Sequence, residues 1–196
     1  MAEAFKTYIH TDVDNDMANF LLPISENILK ESKKNENYRN GKSSYYTPEV
    51  ISKFIPELKP FYDYIRKNVE QYLIVHNYET KNLSIDIIDL WVSEMNVGGN
   101  HEAHCHSPNS QISGNFYVKV DEKSGNLRFY RQEFHNNIFY NLKIKNYNGY
   151  NNDTFNFKPE NGLLCLWRSD LLHSVDYNES DSRIAISFNI TVKYII

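Results

Sequence analysis

Apolar residues recur at helical spacing through the first eighty residues of the chain. Between Phe20 and Leu29 they follow one another at steps of three and four, which predicts a helix with one buried face. Thr47 and Pro48 form a start signal, an N-cap residue followed by proline at the first helical position. From Pro60 onward a second helix is predicted by apolar residues four apart: Phe61, Ile65, Val69 and Leu73.

The pattern changes to that of β-strands after residue 80. Segments rich in β-branched, aromatic and other apolar residues cover 83–97, 112–120, 126–130, 162–167 and 183–195. Segments 112–120 and 126–130 predict a hairpin about Asp121–Gly125. Helices first and strands afterwards predict an α+β domain with a β-sandwich or barrel core. We therefore expect one domain over 1–196, helical in 1–80 and β-rich in 81–196.

A long polar insertion, 131–160, separates the predicted strands of the second half and contains the stretch NYNGYNND. Two interpretations fit it: a lid or substrate-selecting loop, or a plain surface excursion.

Composition narrows the function classes. No apolar run approaches the roughly 20 residues that a membrane-spanning helix needs, and the N-terminus has no hydrophobic signal core. The net charge of -4 gives no electrostatic surface for nucleic acid, so nucleic-acid binding is not expected. The chain has only two cysteines, Cys105 and Cys165, which indicates a reducing, cytoplasmic compartment.

Three of the seven histidines fall within the stretch HEAHCHSPNS, residues 101–110. On a strand, His104 and His106 would point to the same face, about 6–7 Å apart at the backbone, and Cys105 would point the other way. His101 would lie in the turn before them. Two interpretations remain open from this stretch alone, a polar edge strand with solvated histidines or part of a metal site.

The end of the chain adds a third histidine and an arginine. His173 follows an apolar segment in LWRSDLLHSVDYN, and Arg183 opens the strand RIAISFNI ten positions later. Arg183 and Ser187 share one face of that strand, whereas Ile184, Ile186 and Phe188 share the other, which is the natural core face. A guanidinium and a hydroxyl facing a cavity suit a carboxylate ligand. The alternative is an arginine in a surface salt bridge.

Taken in order, four motifs carry a family resemblance: His-x-His, the strand SGNFYV at 113–118, the segment GLLCLW leading to LLHSV, and an arginine followed by SFN. This order resembles the Fe(II)/2-oxoglutarate-dependent oxygenases. It is most similar to a group related to prolyl 4-hydroxylases that is common in phages and marine bacteria. The resemblance covers roughly residues 85–192, and the histidines and Arg183 lie at the positions of the family's functional residues.

The resemblance implies a double-stranded β-helix, the jelly-roll or cupin-like fold, with flanking N-terminal helices. It implies a hydroxylase that works in the cytoplasm. If the protein is of phage origin, this is the cytoplasm of the infected bacterial host. Its cofactor and co-substrates would be Fe(II), 2-oxoglutarate and O2, and its substrate would be a prolyl residue of a protein or peptide by analogy. His104, His106 and His173 would bind the iron. Four residues would bind 2-oxoglutarate: Arg183 and Ser187 at its far carboxylate, with Asn115 and Tyr117 as further contacts.

Position 106 departs from the family pattern, in which most members have a carboxylate. Three alternatives follow: a three-histidine triad, a triad completed by Glu102, or loss of the iron chemistry. The last corresponds to a metal-binding cupin-like protein that does not use 2-oxoglutarate, or to a structural β-sandwich with incidental histidines. The aromatic residues Trp91, Trp167, Phe116, Phe129 and Phe188 are expected in the core.

Overall fold

A computed structural model describes residues 7–32, 40–131, 143–146, 148 and 151–195. Within these residues the helices are α1 (Asn15–Glu31), α2 (Pro48–Ser52) and α3 (Ile55–Val75). The strands are β1 (His10–Val13), β2 (Gly41–Ser43), β3 (Leu83–Met95), β4 (His101–His104), β5 (Ile112–Lys119), β6 (Leu127–Tyr130), β7 (Thr154–Phe157), β8 (Leu163–Arg168), β9 (His173–Val175) and β10 (Arg183–Tyr194). None of the helices in the described ranges has the length and apolar character needed to cross a membrane.

The strands form two antiparallel sheets, in the orders β1-β8-β5-β10-β3-β2 and β4-β9-β6-β7. The helices pack on one face of the larger sheet and form a core with Phe116, Ile186 and Phe188. The other face of that sheet forms a second apolar cluster with the smaller sheet, including Leu127 and Phe129. The predicted α+β fold with a jelly-roll core and N-terminal helices is confirmed, and the region predicted as helical also contributes β1 and β2.

The first residues of the three helices can be compared with the capping and proline signals in the sequence. The carboxylate of Asp14 caps α1 by accepting a hydrogen bond of 2.8 Å from the backbone N–H of Met17. Helix α2 begins at Pro48 as predicted, although Thr47 makes no side-chain capping bond. Helix α3 begins at Ile55, so Pro60 lies inside the helix and does not precede it.

The predicted hairpin between β5 and β6 is wrong. Strand β5 pairs with β8 and β10 in the larger sheet, whereas β6 pairs with β7 and β9 in the smaller one. The turn about Asp121–Gly125 therefore carries the chain from one sheet to the other. Two short strands joined by a tight turn have the same alternating pattern in either arrangement, so the sequence pattern does not separate them.

The polar insertion 131–160 contains a strand that the sequence pattern did not predict. Thr154–Phe157 forms β7, which pairs with β6 at the edge of the smaller sheet. The stretch 132–142 and residues 147, 149 and 150 lie outside the described residues, and the predicted lid falls largely on them.

Candidate active site

Three imidazoles converge between the two sheets. His104, the last residue of β4, is directly paired with His173, the first residue of β9. His106 lies just beyond the end of β4, where its backbone N–H donates a 2.8 Å hydrogen bond to the carbonyl of Ser169. One ligand nitrogen from each of the three rings lies within 4.8 Å of the others. This spacing lets all three bind one metal ion.

Backbone carbonyls set the tautomer of two of these rings. Nδ1 of His104 lies 2.8 Å from the carbonyl oxygen of Glu102, and Nδ1 of His173 lies 2.9 Å from that of Leu171. A carbonyl only accepts hydrogen bonds, so each Nδ1 carries the proton and donates it. The lone pair is then on Nε2, which is left to bind a metal ion.

Burial keeps two of the three imidazoles neutral. It lowers the pKa of His173 to about 3, and the nearby His104 lowers it further in the same direction. Burial likewise lowers the pKa of His106 to about 4. Because metal ions bind neutral imidazole, the pocket holds these side chains in their ligand form at neutral pH.

The ring of His106 lies between two aromatic neighbours. It is nearly parallel to the ring of Trp91, with centroids 5.9 Å apart and an interplanar angle of 17°, and to that of His173, at 5.2 Å and 12°. Trp91, predicted to be core, is half-buried and lines the pocket, so that expectation is wrong. Trp91 is paired with Ser187 on β10, and paired residues lie on the same face of a sheet. The sequence alone does not give this pairing, so it does not show that Trp91 faces the pocket.

Arg183 is buried, 1% exposed, at the first position of β10. Its Nε donates to the carbonyl of Gly125 at 3.3 Å, and its guanidinium carbon lies 5.0 Å from the ring centroid of Tyr117. Its Nη2 has no hydrogen-bond partner within the described residues, and no carboxylate there forms an ion pair with it. The surface salt bridge is therefore not found, and a buried cation on the pocket wall is left to bind an anion.

The other predicted co-substrate residues divide into two groups. Asn115 and Ser187 line the pocket, and Oδ1 of the buried Asn115 has no hydrogen-bond partner among the described residues. Tyr117 is fully buried beneath the guanidinium and is not on the pocket wall. Burial raises its pKa, so the phenol is protonated.

The alternatives at position 106 can be compared with the pocket wall. The side chain of Glu102 is exposed and does not line the pocket, and the residues described there include no Asp or Glu. His101, expected in a turn, is the first residue of β4 and lines the pocket with its ring centroid 4.1 Å from that of His104.

Two tryptophans of the pocket were missed by sequence reasoning. Trp167 packs edge-on against His173, with centroids 4.9 Å apart, and lines the pocket as Trp91 does. It is also buried, so the expected core position holds in part. An apolar ring looks the same in a sequence whether it faces a packed core or a cavity wall.

Residues 89–189 match the model of a protein family described as "Putative 2OG-Fe(II) oxygenase". The chain belongs to this family. The matched range contains the three histidines and Arg183. The protein is therefore a 2-oxoglutarate-dependent oxygenase, with Fe(II) as its cofactor and 2-oxoglutarate and O2 as its co-substrates. Family membership decides against the alternative of a metal-binding protein that does not use 2-oxoglutarate.

Solved structures similar to this oxygenase share its fold. A prolyl-4-hydroxylase from Pseudomonas putida is 12% identical, with a TM-score of 0.58 over 94% of this chain and 92% of that one. The viral collagen prolyl hydroxylase from Paramecium Bursaria Chlorella virus-1, in its 2OG complex, is 17% identical, with a TM-score of 0.53 over 95% and 97%. HygX from Streptomyces hygroscopicus, with nickel, 2-oxoglutarate and hygromycin B bound, is 8% identical, with a TM-score of 0.59 over 94% and 83%. No curated protein matches the chain in sequence.

Proposed function

We propose that this oxygenase binds Fe(II) through His104, His106 and His173 and hydroxylates a C–H bond of its substrate, with release of succinate and CO2. The observation that carries the proposal is the convergence of three imidazoles, with their ligand atoms within 4.8 Å of one another, in a pocket that also contains the buried guanidinium of Arg183. Two of the rings already present Nε2, because backbone carbonyls bind their Nδ1 protons.

The polar residues on the pocket wall bind 2-oxoglutarate in this proposal. Nη2 of Arg183 donates to its far carboxylate, a charge-assisted bond that compensates the buried cation. Ser187 is four residues further along β10, about 13 Å at the backbone, and is paired with both Trp91 and Asn115. Because Trp91 stacks on His106, Ser187 and Asn115 contact the co-substrate nearer the iron, and Ser187 does not join Arg183 at the far carboxylate as the resemblance implies. Tyr117 positions the guanidinium from below.

Bound Fe(II) supplies the activation of O2 that oxidises an unactivated C–H bond. The protein contributes a fixed ligand geometry and a pocket wall that limits the access of water. Backbone bonds from Glu102 and Leu171 hold His104 and His173, and stacking on Trp91 holds His106.

The proposed substrate is a prolyl residue within a peptide or protein segment. Aromatic rings lead from the surface to the pocket: Tyr46 and Tyr45 pack edge-on at 5.1 Å, and Tyr45 packs on Trp91 at 5.2 Å. Tyr45 is 54% exposed and Tyr46 is 53% exposed, so the rings are available to a ligand. Exposed aromatic side chains are the groups on which proline-containing extended peptides commonly pack. The likeness to prolyl hydroxylase structures supports the same choice.

Anaerobic addition of Fe(II) and then 2-oxoglutarate tests the metal and co-substrate sites. We expect the weak visible charge-transfer band of the Fe(II)–2-oxoglutarate chelate in the wild-type protein and its loss in His173→Gln. His76→Gln is the matched control, since His76 is the C-cap residue after α3 and is absent from the pocket wall. A wild-type protein that binds both ligands without the band, or a His173→Gln variant that keeps it, would contradict the proposal.

The substrate proposal needs a separate test. A proline-rich peptide and its counterpart with alanine at every proline are incubated with the oxygenase, Fe(II), 2-oxoglutarate and O2. We expect succinate release coupled to a 16 Da mass increase, the mass of one oxygen atom, located on proline in the first peptide only. Equal succinate release with both peptides and no mass increase would overturn the prolyl assignment and leave the oxygenase assignment intact.

We also propose a single domain over 1–196 that works in the cytoplasm. Both cysteines are free thiols, Cys105 exposed and Cys165 buried, which suits a reducing compartment. Cell fractionation of the tagged protein tests the location, and a single cooperative unfolding transition tests the domain assignment.

A further inference from the structure

The indole N–H of Trp167 is unsatisfied in the part of the chain that the structure describes. The residue is 3% exposed on β8, and its Nε1 makes no hydrogen bond within the described residues. An indole N–H is a donor only, and a buried donor that has lost water without gaining an acceptor costs free energy. Such a group in a native structure requires an explanation.

The hydroxyls nearest to Trp167 along the sheet are already engaged. Ser113 is its register partner on β5, and the Ser113 hydroxyl bonds to the hydroxyl of Ser169 at 2.8 Å and to Oδ1 of Asn189 at 3.0 Å. The Ser169 hydroxyl also accepts a hydrogen bond of 2.7 Å from Ser110. These side chains form hydrogen bonds with one another and none with the indole N–H.

The surroundings fix the ring in the pocket wall. Trp167 packs edge-on against the iron-ligand candidate His173 and against Phe129, whose centroid lies 5.2 Å away. Among the described residues of the wall, three have a buried polar atom without a partner: Trp167 (Nε1), Asn115 (Oδ1) and Arg183 (Nη2). One dianionic ligand rich in acceptor oxygens can satisfy both of the donors.

We infer that Trp167 is a co-substrate-binding residue, whose indole N–H donates a hydrogen bond to a carboxylate oxygen of bound 2-oxoglutarate. The inference rests on the proposed function of the histidine and Arg183 site, and it adds a donor on the His173 side of the pocket. Arg183 and Trp167 then bind the co-substrate from two different strands, β10 and β8. A ligand without a correctly placed acceptor leaves the indole unsatisfied, so the residue also contributes to selectivity.

The chain has only two tryptophans, which makes the indole N–H directly observable. In Zn(II)-loaded, ¹⁵N-labelled protein the two indole N–H signals are separate NMR cross-peaks, and Trp91→Phe assigns them. On titration with 2-oxoglutarate we expect the Trp167 signal to shift downfield and to become protected from solvent exchange. A Trp167 signal that stays in place and unprotected while calorimetry shows saturation would overturn the inference.

Substitution provides the second test. Trp167→Phe keeps an aromatic ring and removes the donor, and we expect at least about tenfold weaker 2-oxoglutarate binding, as for loss of a hydrogen bond to a charged group. Tyr78→Phe is the control, because it removes the hydrogen-bond donor of an exposed aromatic residue that does not line the pocket, and we expect unchanged binding. Unchanged affinity in folded Trp167→Phe counts against the inference.

Two safeguards keep the result interpretable. If Trp167→Phe does not fold, β-(3-benzothienyl)alanine can be incorporated in place of tryptophan in the Trp91→Phe protein, where residue 167 is the only tryptophan. This replaces only the N–H of residue 167 by sulfur. Compared with Trp91→Phe itself, the same loss of 2-oxoglutarate affinity is expected. A wild-type protein that does not bind 2-oxoglutarate at all overturns the proposed function, whereas equal binding by wild type and variant overturns only the role of Trp167.

Discussion

Replacing Arg183 by methionine should separate a ligand-binding role from a structural one. The substitution keeps a long chain to pack on Tyr117 and removes a guanidinium that is 1% exposed and has no anionic partner within the described residues. Burying such a charge costs several kcal/mol. The hydrogen bond to Gly125 and the contact with the Tyr117 ring together offset about 2–3 kcal/mol of this desolvation cost.

The free energy of unfolding of the metal-free variant should therefore stay within about 1 kcal/mol of wild type or rise. Binding of 2-oxoglutarate should respond in the opposite sense. A hydrogen bond to a charged group contributes about 1.5–3 kcal/mol, so the dissociation constant should rise roughly 10- to 150-fold.

Urea unfolding of the metal-free protein and anaerobic calorimetry with Fe(II) measure the two quantities. Arg168→Met is the control, because Arg168 is an exposed arginine on β8 that pairs with Asp170, and both quantities should stay near wild type. If Arg183→Met lost more than about 2 kcal/mol of stability and bound 2-oxoglutarate normally, Arg183 would be a structural residue and the reasoning would be refuted.

Three further predictions concern the metal ligands and the pocket entrance. The pKa of His173 is about 3 in the folded protein and 6.5 in the unfolded chain. Between these pH values His173 is protonated in the unfolded chain and neutral in the folded protein, which favours unfolding. The free energy of unfolding of the metal-free protein should fall as pH drops from 6.5 toward 3, and circular dichroism should show a shallower fall in His173→Gln. His106→Ala should weaken Fe(II) binding by more than about tenfold, and Glu102→Gln should not. The reverse result in a metal titration would favour the carboxylate alternative. Tyr45→Ala should raise KM for a proline-containing peptide severalfold without changing KM for 2-oxoglutarate, whereas Tyr78→Ala, at a tyrosine that is 63% exposed and does not line the pocket, should change neither.

Periodicity and motif order predicted the elements that carry the site. The buried stripe of α1 and the two-faced strand β10 follow from residue spacing, because one face of each must be buried. The order of His104, His106, His173 and Arg183 indicated the family before any distance was known, and the structure brings all four to one pocket.

The features that the sequence did not predict depend on contacts between distant segments. The assignment of β5 and β6 to different sheets requires knowledge of their partners, and the local pattern does not contain it. The positions of Trp91 and Trp167 on the pocket wall depend on strand register and on where the two sheets separate. The unsatisfied N–H of Trp167 depends on which neighbouring groups are already bonded, and this is visible only in the folded molecule.

The charge of the pocket connects metal binding with co-substrate binding. Among the described residues no Asp or Glu lines the pocket, and the proposed set of three neutral imidazoles would leave the two positive charges of Fe(II) uncompensated beside the cation of Arg183. Asp89 is exposed and accepts a 3.2 Å hydrogen bond from Asn189, and its charge acts on His106 in the direction that raises the pKa, against the larger lowering by burial. The dianion 2-oxoglutarate is then the group that balances the site. Each ligand should therefore increase the affinity for the other by the same factor, because coupling between two binding sites is reciprocal. A pocket with histidine at position 106 depends on its co-substrate for charge balance more than one with a carboxylate there.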